Sequence, residues 1–181
     1  MKTLFQIITI LQTALWVSIA TGSEPRVIIN LSEQKAYLVE QGEVILVSPI
    51  ASGKPGWITP IGNFRIFNKD LDHRSRNFGS VFDAYGRMVN SNATPSSHVP
   101  PGGHYRSAPM PYFMEFSPAI GMHAGYLPGY PASHGCVRMP RDLAAELFDR
   151  VHIGTPVTVL GSTHDLARVR RAIPIYGPKV Q

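Results

Sequence analysis

Residues 35–66 read KAYLVEQGEVILVSPIASGKPGWITPIGNFRI, and this stretch does most to decide the fold. From residue 26 onward, short runs rich in apolar and β-branched residues are separated by two polar turn sequences. These are Ser-Glu-Gln, just before the quoted stretch, and Gln-Gly-Glu within it. This spacing predicts a meander of antiparallel strands. The predicted strands are residues 27–31, 36–40 and 44–50. After a Gly/Pro-rich connection at 53–62, residues 63–70 alternate like one further strand.

The rest of the chain adds more strand patterns and a single helix pattern. Residues 70–111 are charged and then rich in Asn, Ser, Pro and Gly, which predicts a long ordered loop or flap of the kind that often borders active sites. The further predicted strands are 110–116, 119–125 and 155–160. Residues 141–152 carry an apolar stripe at helical spacing, namely Leu143, Leu147, Phe148 and Val151. We therefore expect a mainly β domain.

The N-terminus has the outline of a secretory signal peptide at residues 1–22. Lys2 is the only charge before Glu24, the following residues are mostly apolar, and Ala20-Thr21-Gly22 supplies small residues for cleavage. An uncleaved membrane anchor is the alternative, because the apolar run is nearly long enough to span a bilayer. Polar residues interrupt that run and favour the signal peptide. The expected location is therefore the periplasm or the cell wall.

The charge balance is basic, with a formal net charge of +5 and a sequence pI near 9.6. Part of the excess lies in residues 161–181, which we expect to form a basic C-terminal tail. Such a balance suits an acidic partner such as an anionic cell-wall polymer, a membrane surface or nucleic acid, although it also serves simple solubility. Export argues against nucleic acid as the partner.

Cys136 is the only cysteine in 181 residues. In an oxidising compartment cysteines are usually paired, so a lone thiol is a passive buried residue, an intermolecular linker or a nucleophile. The position just before the predicted helix favours a nucleophile, since a helix N-terminus lowers a thiol pKa. The N–H groups of Gly135 and Cys136 could form an oxyanion hole, and His123 and His134 are candidate bases. Arg138 could pair bidentately with a substrate carboxylate.

Zinc is the competing chemistry for these residues. His123, His134 and Cys136 could be three ligands, but the sequence has no second cysteine and no metal-binding His or Cys spacing. We therefore predict neither a metal nor a cofactor. The papain-like order of a cysteine followed by a distant histidine fits poorly as well, because only His152 and His164 follow Cys136.

Residues 122–140, MHAGYLPGYPASHGCVRMP, resemble the signature of L,D-transpeptidases with the YkuD-like catalytic domain. That signature is a histidine, a loop of a dozen residues or so, and then Ser/Thr-His-Gly-Cys with Arg or Asn two residues later. Here the matching residues are His123, Ser133, His134, Gly135, Cys136 and Arg138. The upstream half is also similar, with a meander leading to a Thr-Pro-x-Gly-x-Phe stretch at 59–64. The resemblance covers residues 26–160, the expected catalytic domain.

The resemblance implies a β-sandwich-like domain with one or two short helices, and a cysteine enzyme that remodels peptidoglycan. In such enzymes the thiol attacks the third residue of a tetrapeptide stem, releases D-alanine and forms a thioester, and carbapenems acylate the same residue. The acceptor is the side-chain amine of another stem, which gives a 3→3 crosslink, or a lysine of an outer-membrane protein. With water as acceptor the enzyme is a carboxypeptidase, an endopeptidase or an amidase that releases proteins from the wall. A catalytically inactive peptidoglycan-binding module is the alternative of another class, and the intact His/Cys/Arg set argues against it.

The resemblance also assigns roles to individual residues. Cys136 is the nucleophile and His123 is the base. The role of Arg138 rests on its own chemistry, because its guanidinium could hold a carboxylate of the donor stem or order the turn around Cys136. The imidazole of the base is oriented either by the backbone carbonyl just after it, here that of Ala124, or by the serine before the second histidine. Supporting roles, in the oxyanion site or in orienting the catalytic pair, fall to Tyr112, Ser133, His134 and Gly135.

Overall fold

The structure is a computed structural model that describes residues 24–161; the expected signal peptide and basic tail lie outside the described residues. The first seven strands are β1 (Arg26–Asn30), β2 (Lys35–Glu40), β3 (Glu43–Pro49), β4 (Gly62–Arg65), β5 (Asn68–Asp70), β6 (Arg74–Phe82) and β7 (Met88–Ala93). The remaining elements are β8 (His104–Pro109), β9 (Phe113–Ser117), β10 (Ile120–Ala124), β11 (Val137–Met139), α1 (Arg141–Arg150) and β12 (Pro156–Leu160). Within residues 24–161, no helix is both long and apolar enough to span a bilayer. The expectation of a mainly β fold with a short helix is confirmed.

The predicted meander forms one side of the first sheet, whose strand order is β3-β2-β1-β12-β4. The three meander strands pair antiparallel, as their turn sequences indicate, and β12 joins parallel to β1 with Val27 opposite Val157. Alternate residues of β1 therefore enter different apolar clusters. Val27 and Ile29 lie in the main core, and Ile28 lies in a smaller cluster on the opposite face.

The second sheet carries the strands that position the candidate site, in the order β11-β10-β9-β5. Strand β11 pairs parallel with β10, and His123 lies opposite Arg138 in the register. Strand β10 also pairs antiparallel with β9. Residues 120–124 are thus held between two neighbouring strands, and their backbone forms a rigid base for the side chains of the site.

The main core lies between these two sheets and helix α1. Its buried side chains come from both sheets, for example Leu38 from the first and Met114 and Met122 from the second, each 0% exposed. The helix contributes Ala144 and Leu147, with Leu143 and Phe148 packed at the edge, which confirms the predicted apolar stripe.

Residues 70–111 contradict the prediction of an irregular flap. They contain a three-stranded antiparallel sheet in the order β7-β6-β8. Most of its residues are exposed or partly exposed, and only a few such as Val81 and Ala93 are fully buried. The sheet is therefore held mainly by ladder hydrogen bonds, and the usual apolar alternation of a strand is missing from its sequence.

Candidate active site

A cleft of about 610 Å³ lies between the second sheet and the three-stranded sheet. This volume is typical of small-molecule sites. Its lining includes five of the predicted site residues, which come from β10, from the segment that leads into β11 and from β11 itself. They are His123, Ser133, His134, Cys136 and Arg138. The structure thus brings into one cleft residues that are up to 15 positions apart in sequence (138 minus 123).

The turn that presents Cys136 is braced by the Ser133 hydroxyl. Its oxygen accepts a hydrogen bond from the Gly135 N–H at 3.0 Å, and its proton is donated to the Cys136 carbonyl. Gly135 has a φ of +112°, a conformation that residues with a Cβ rarely adopt. The Gly135 N–H is therefore engaged inside the turn, which corrects the expectation that it points at a substrate oxyanion.

A second brace connects this turn to the Thr-Pro-x-Gly-x-Phe stretch. The Thr59 hydroxyl donates to the Gly135 carbonyl at 2.7 Å and accepts from the Gly53 N–H at 3.0 Å. Thr59 is only 3% exposed, so these backbone groups have little access to water as a replacement partner. Thr59, which lies 77 positions before Cys136 in the sequence, thus helps to hold the turn at residues 133–136, called the nucleophile turn below.

Thr59→Val should lower both stability and activity, because it keeps the branched shape and removes the hydroxyl. An unsatisfied buried carbonyl costs about 1–3 kcal/mol, and we expect the free energy of unfolding to fall by that amount. We expect kcat/KM to fall by about tenfold, since the turn loses its brace. The matched control is Thr59→Ser, which keeps the hydroxyl. Urea unfolding measures the stability, and steady-state kinetics with a peptide substrate measure kcat/KM. Equal losses in the two variants would contradict the role of the hydroxyl.

His123 is buried in β10 with one ring nitrogen fixed. Its Nδ1 lies 2.8 Å from the carbonyl oxygen of Ala124. A carbonyl only accepts, so Nδ1 carries the proton and Nε2 holds the lone pair of the neutral ring. Burial lowers the pKa of His123 to about 4 against the hydrogen bond to Ala124, which raises it, and with a smaller contribution from the nearby Arg138 guanidinium. His123 is therefore neutral at pH 7, with one nitrogen able to accept a proton.

Cys136 is partly buried, and its thiol contacts the Ala119 carbonyl at 3.7 Å. Burial raises the thiol pKa, and this outweighs a backbone hydrogen bond from Gly121 and the nearby charge of Arg138, both of which lower it. The expectation of a pKa lowered by a helix N-terminus is wrong. Strand β11 separates Cys136 from the start of α1, so the helix dipole is too distant to compensate for desolvation.

Gly121 owes its place beside the sulfur to its missing side chain. A Cβ at this position would lie 2.6 Å from the Met114 carbonyl oxygen and equally close to the Phe113 ring, which is a severe clash. Strand β10 can therefore approach β9 closely here while its backbone faces the thiol. This group was not predicted from the sequence, where a glycine two residues before His123 is no signal by itself.

His134 belongs to an aromatic cluster that joins the nucleophile turn to the three-stranded sheet. Its ring stacks on Phe78 with centroids 4.1 Å apart, and the Trp57 ring meets it edge-on at 4.9 Å. Burial, followed by the charges of Lys54 and Arg138, lowers the pKa of His134. The contacts fit a residue that shapes the cleft.

Arg138 is partly buried and lies beside the thiol in the cleft. No carboxylate of residues 24–161 lies within 4 Å of its guanidinium, whose pKa is lowered by burial. Its backbone, by contrast, is held in both directions by Ala51, with N–O distances of 3.0 Å. The cleft therefore contains a fixed positive charge that no described acidic side chain neutralises.

Tyr112 does not line the cleft, which corrects the expectation that it faces the site. Its φ of +60° turns the chain so that the ring packs against the helix, 5.9 Å from the Phe148 ring and under the Arg141 guanidinium. The next residue, Phe113, lines the cleft instead, with its ring centroid 6.3 Å from that of His123. A reversal of this kind depends on one backbone dihedral and cannot be predicted from the residue types alone.

Metal ligation finds no support in the part of the chain that the structure describes. There, no three His, Cys, Asp or Glu side chains come together in a way that could hold a metal ion. The chemistry of the cleft is instead that of a thiol, an imidazole with a free nitrogen and a cation, which is the set that acyl transfer needs.

Comparison with known proteins identifies the class to which this fold and site belong. The family model of the L,D-transpeptidase catalytic domain, YkuD, matches residues 24–159. The chain therefore belongs to the family of L,D-transpeptidase catalytic domains.

Particular relatives are distant in sequence. L,D-transpeptidase 1 of Mycobacterium tuberculosis is 28% identical over 143 residues, which make up 78% of this chain and 52% of that protein. Its crystal structure is similar with a TM-score of 0.54 at 25% identity, over 76% of this chain and 62% of that one. The catalytic domain of the E. faecium L,D-transpeptidase, acylated by ertapenem, gives a TM-score of 0.53 at 27% identity, over 76% of this chain and 97% of that domain. The chain spans about half the length of the curated relatives it matches.

Proposed function

We propose that this protein is a peptidoglycan L,D-transpeptidase with Cys136 as its nucleophile and His123 as its base. The observation that carries the proposal is that three groups line one cleft: the single thiol, a neutral imidazole, and an arginine without an ion pair to any carboxylate of residues 24–161. Family membership supports it, as does the E. faecium relative acylated by ertapenem. A binding module without activity would need none of these three groups.

Acylation in this proposal begins with a neutral pair. Because burial raises the pKa of Cys136 and lowers that of His123, the thiolate–imidazolium form is disfavoured before substrate binds. His123 Nε2 takes the thiol proton as sulfur attacks the carbonyl of the third stem residue. The same proton then goes to the departing amine, so that D-alanine leaves and a thioester remains on Cys136.

The donor carboxylate is assigned to Arg138. Stem peptides carry free carboxylates, and a desolvated guanidinium without a protein partner binds such a group more strongly than an exposed one does. Its backbone hydrogen bonds to Ala51 fix the strand from which the side chain extends. Arg138 would therefore place the donor relative to the sulfur.

Arg138→Lys should lower kcat/KM for a tetrapeptide donor by about 10-fold to 100-fold, because lysine keeps the charge and loses the planar fork. We expect the loss to shrink below threefold for a donor whose carboxylates are amidated, since that donor has nothing for the fork to bind. Steady-state kinetics on the two donors measure this. Equal losses on both donors would show that Arg138 acts only on the local structure.

The acceptor and the location are the finer parts of the proposal. We place the protein outside the cytoplasm, in the periplasm or the cell wall, with a signal peptide at residues 1–22 and the catalytic domain at 26–160. The acceptor is the side-chain amine of a second stem, giving a 3→3 crosslink in peptidoglycan biosynthesis. A lysine of an outer-membrane protein is the corresponding protein acceptor, and water would make the enzyme a carboxypeptidase.

Incubation of the protein with purified sacculi, followed by mass spectrometry of the muropeptides, tests the reaction. Transpeptidation predicts dimers joined between two third residues, with D-alanine released. Accumulation of monomeric tripeptides without new dimers would instead establish hydrolysis. Unchanged muropeptides, with the protein merely bound to the sacculi, would refute an enzymatic role.

A further inference from the structure

We infer that His73, oriented by Asp70, is the base that deprotonates the amine acceptor in the second half of the reaction. This inference rests on the proposed function and adds a second histidine to it. His73 lies in the turn between β5 and β6, and it lines the same cleft as Cys136 and His123. The role is distinct from that of His123, which serves the thiol.

The position of His73 is fixed from several directions. Its carbonyl accepts a hydrogen bond from the Met110 N–H at 2.8 Å, and the carbonyl of Leu71 accepts one from Tyr112 at 2.9 Å. Its ring stacks on Phe113, with centroids 4.2 Å apart and planes 11° from parallel. Phe113 is 1% exposed and therefore forms a rigid support. A base must be held in this way to act at a defined point of the cleft.

The carboxylate of Asp70 determines which ring nitrogen of His73 is free. Nδ1 lies 3.0 Å from Asp70 Oδ2, and because a carboxylate only accepts, Nδ1 carries the proton of the neutral ring. Nε2 then holds the lone pair, and no described side chain or backbone group forms a hydrogen bond with it. The Asp70 carboxylate also stabilises the imidazolium that forms when Nε2 takes a proton.

Proton balance shows why a second base is needed. A lysine-like side-chain amine has a pKa of about 10.4, so it enters the cleft as an ammonium ion. Its nitrogen must lose one proton to become a nucleophile and a second when the amide forms. One of these two protons is taken up by the sulfur, because the thiolate expelled from the thioester becomes a thiol again. The other proton has to be removed by a different group and passed to solvent.

His123 is poorly suited to both tasks. It must return one proton to the sulfur, and Nε2 is its one available nitrogen for this, because Nδ1 is engaged with the Ala124 carbonyl. His73 is partly exposed, with 22% of its side-chain surface accessible, and it has a counter-charge of its own. Water as acceptor needs a single base for attack, so the role of His73 is specific to amines.

Several titratable or charged groups line the cleft together with His73. They are Glu115 on β9, Arg76 on β6, His123 on β10 and Arg138 on β11. Asp70, the last residue of β5, contacts the His73 ring directly. The carboxylates of Asp70 and Glu115 attract an ammonium ion, whereas the two arginines repel it. The acidic groups lie on the β5–β9 side, which is therefore the side on which a cationic acceptor would enter.

The test compares His73→Gln with His104→Gln, a matched control whose histidine is exposed on β8, stacks on Phe82 and is not part of the cleft lining. The acyl-enzyme is formed with a tetrapeptide donor and then mixed with an amine acceptor or with buffer alone. At pH 7 we expect His73→Gln to slow aminolysis by about 30-fold to 100-fold, whereas acylation and hydrolysis change by less than threefold. Near pH 10, where free amine is abundant, the aminolysis defect should shrink to below fivefold.

Asp70→Asn should give a smaller defect of the same pH dependence, since it weakens the orientation of His73 without removing the ring. A defect in His73→Gln that persists unchanged at pH 10, or that His104→Gln reproduces, would overturn the inference. So would a wild-type enzyme that acylates but transfers only to water. A wild-type enzyme that forms no acyl-enzyme would refute the proposed function and the inference with it.

Discussion

Cys136→Ala is expected to lower turnover of a tetrapeptide donor by roughly 10⁴-fold or more while leaving the fold intact. The reaction loses its nucleophile, and no second cysteine exists in the sequence to replace it. Stability should change little, because the thiol is only partly buried and its contacts are weak sulfur interactions with the backbone of Ala119, at 3.7 Å, and of Gly121. Release of D-alanine measures the activity, and thermal unfolding measures the stability.

Cys136→Ser is the companion variant, since it keeps a hydrogen-bonding group of similar size at the same place. We expect it to be as inactive as the alanine variant, because a hydroxyl with its much higher pKa is a far weaker nucleophile next to a neutral imidazole. Activity of either variant within tenfold of wild type would mean that the thiol does not carry the chemistry.

His123→Gln is expected to slow acylation by about 10²-fold to 10⁴-fold, the usual contribution of a general base. Glutamine can keep a hydrogen bond to the Ala124 carbonyl but cannot take the thiol proton. Because burial lowers the pKa of His123 to about 4, the acid limb of kcat/KM in the wild type should lie near pH 4 and not near 6.5. An acid limb at 6.5 would indicate a different base.

The same pKa gives a check on stability. His123 has a pKa of about 4 when folded, against an ordinary value of 6.5, so the unfolded chain binds more protons between these two values. Burying the neutral His123 ring thus leaves the free energy of unfolding at its full value above about pH 6.5, and this free energy decreases as the pH falls toward 4. The decrease amounts to roughly 3 kcal/mol. His123→Gln should lack this part of the acid sensitivity in urea unfolding.

The pH dependence of iodoacetamide alkylation separates the two histidines of the site. His134→Gln is the matched variant, since it removes a ring that packs on Phe78 and Trp57 and leaves the Ala124 contact of His123 untouched. We expect alkylation of Cys136 at neutral pH to slow in the His123 variant and to change less in the His134 variant. The opposite pattern would make His134 the base.

Local pattern was enough for the strands whose partners are close in sequence. The meander at 26–49 and the helix at 141–150 follow from alternation, turn residues and an apolar stripe. Residues 63–70 were predicted as one strand, but they form two, which are separated by the buried Ile66 and the exposed Phe67. The two strands belong to different sheets, since β4 pairs with β12 and β5 pairs with β9. Alternation does not show which distant strand supplies the partner. For the same reason, the three-stranded sheet at 74–109 was not predicted from the sequence.

For the site, the sequence indicated the residue types but not their surroundings. The signature placed Cys136, His123 and Arg138 in one cleft, as expected. It could not show that burial, and not a helix dipole, governs the thiol pKa, since that depends on the depth of the residue in the fold. His73 was not predicted as a site residue, because in a charged stretch of sequence nothing shows that Asp70 and Phe113 will contact its ring.

Intact-protein mass spectrometry after mixing with a tetrapeptide donor or a carbapenem tests whether Cys136 is the nucleophile. We predict one adduct per chain, mapped to Cys136 in the digested protein, and with the tetrapeptide donor one D-alanine released for each adduct. Cys136→Ala should show no adduct with either reagent. An unmodified Cys136 under conditions in which the protein processes sacculi would mean that Cys136 is not the nucleophile.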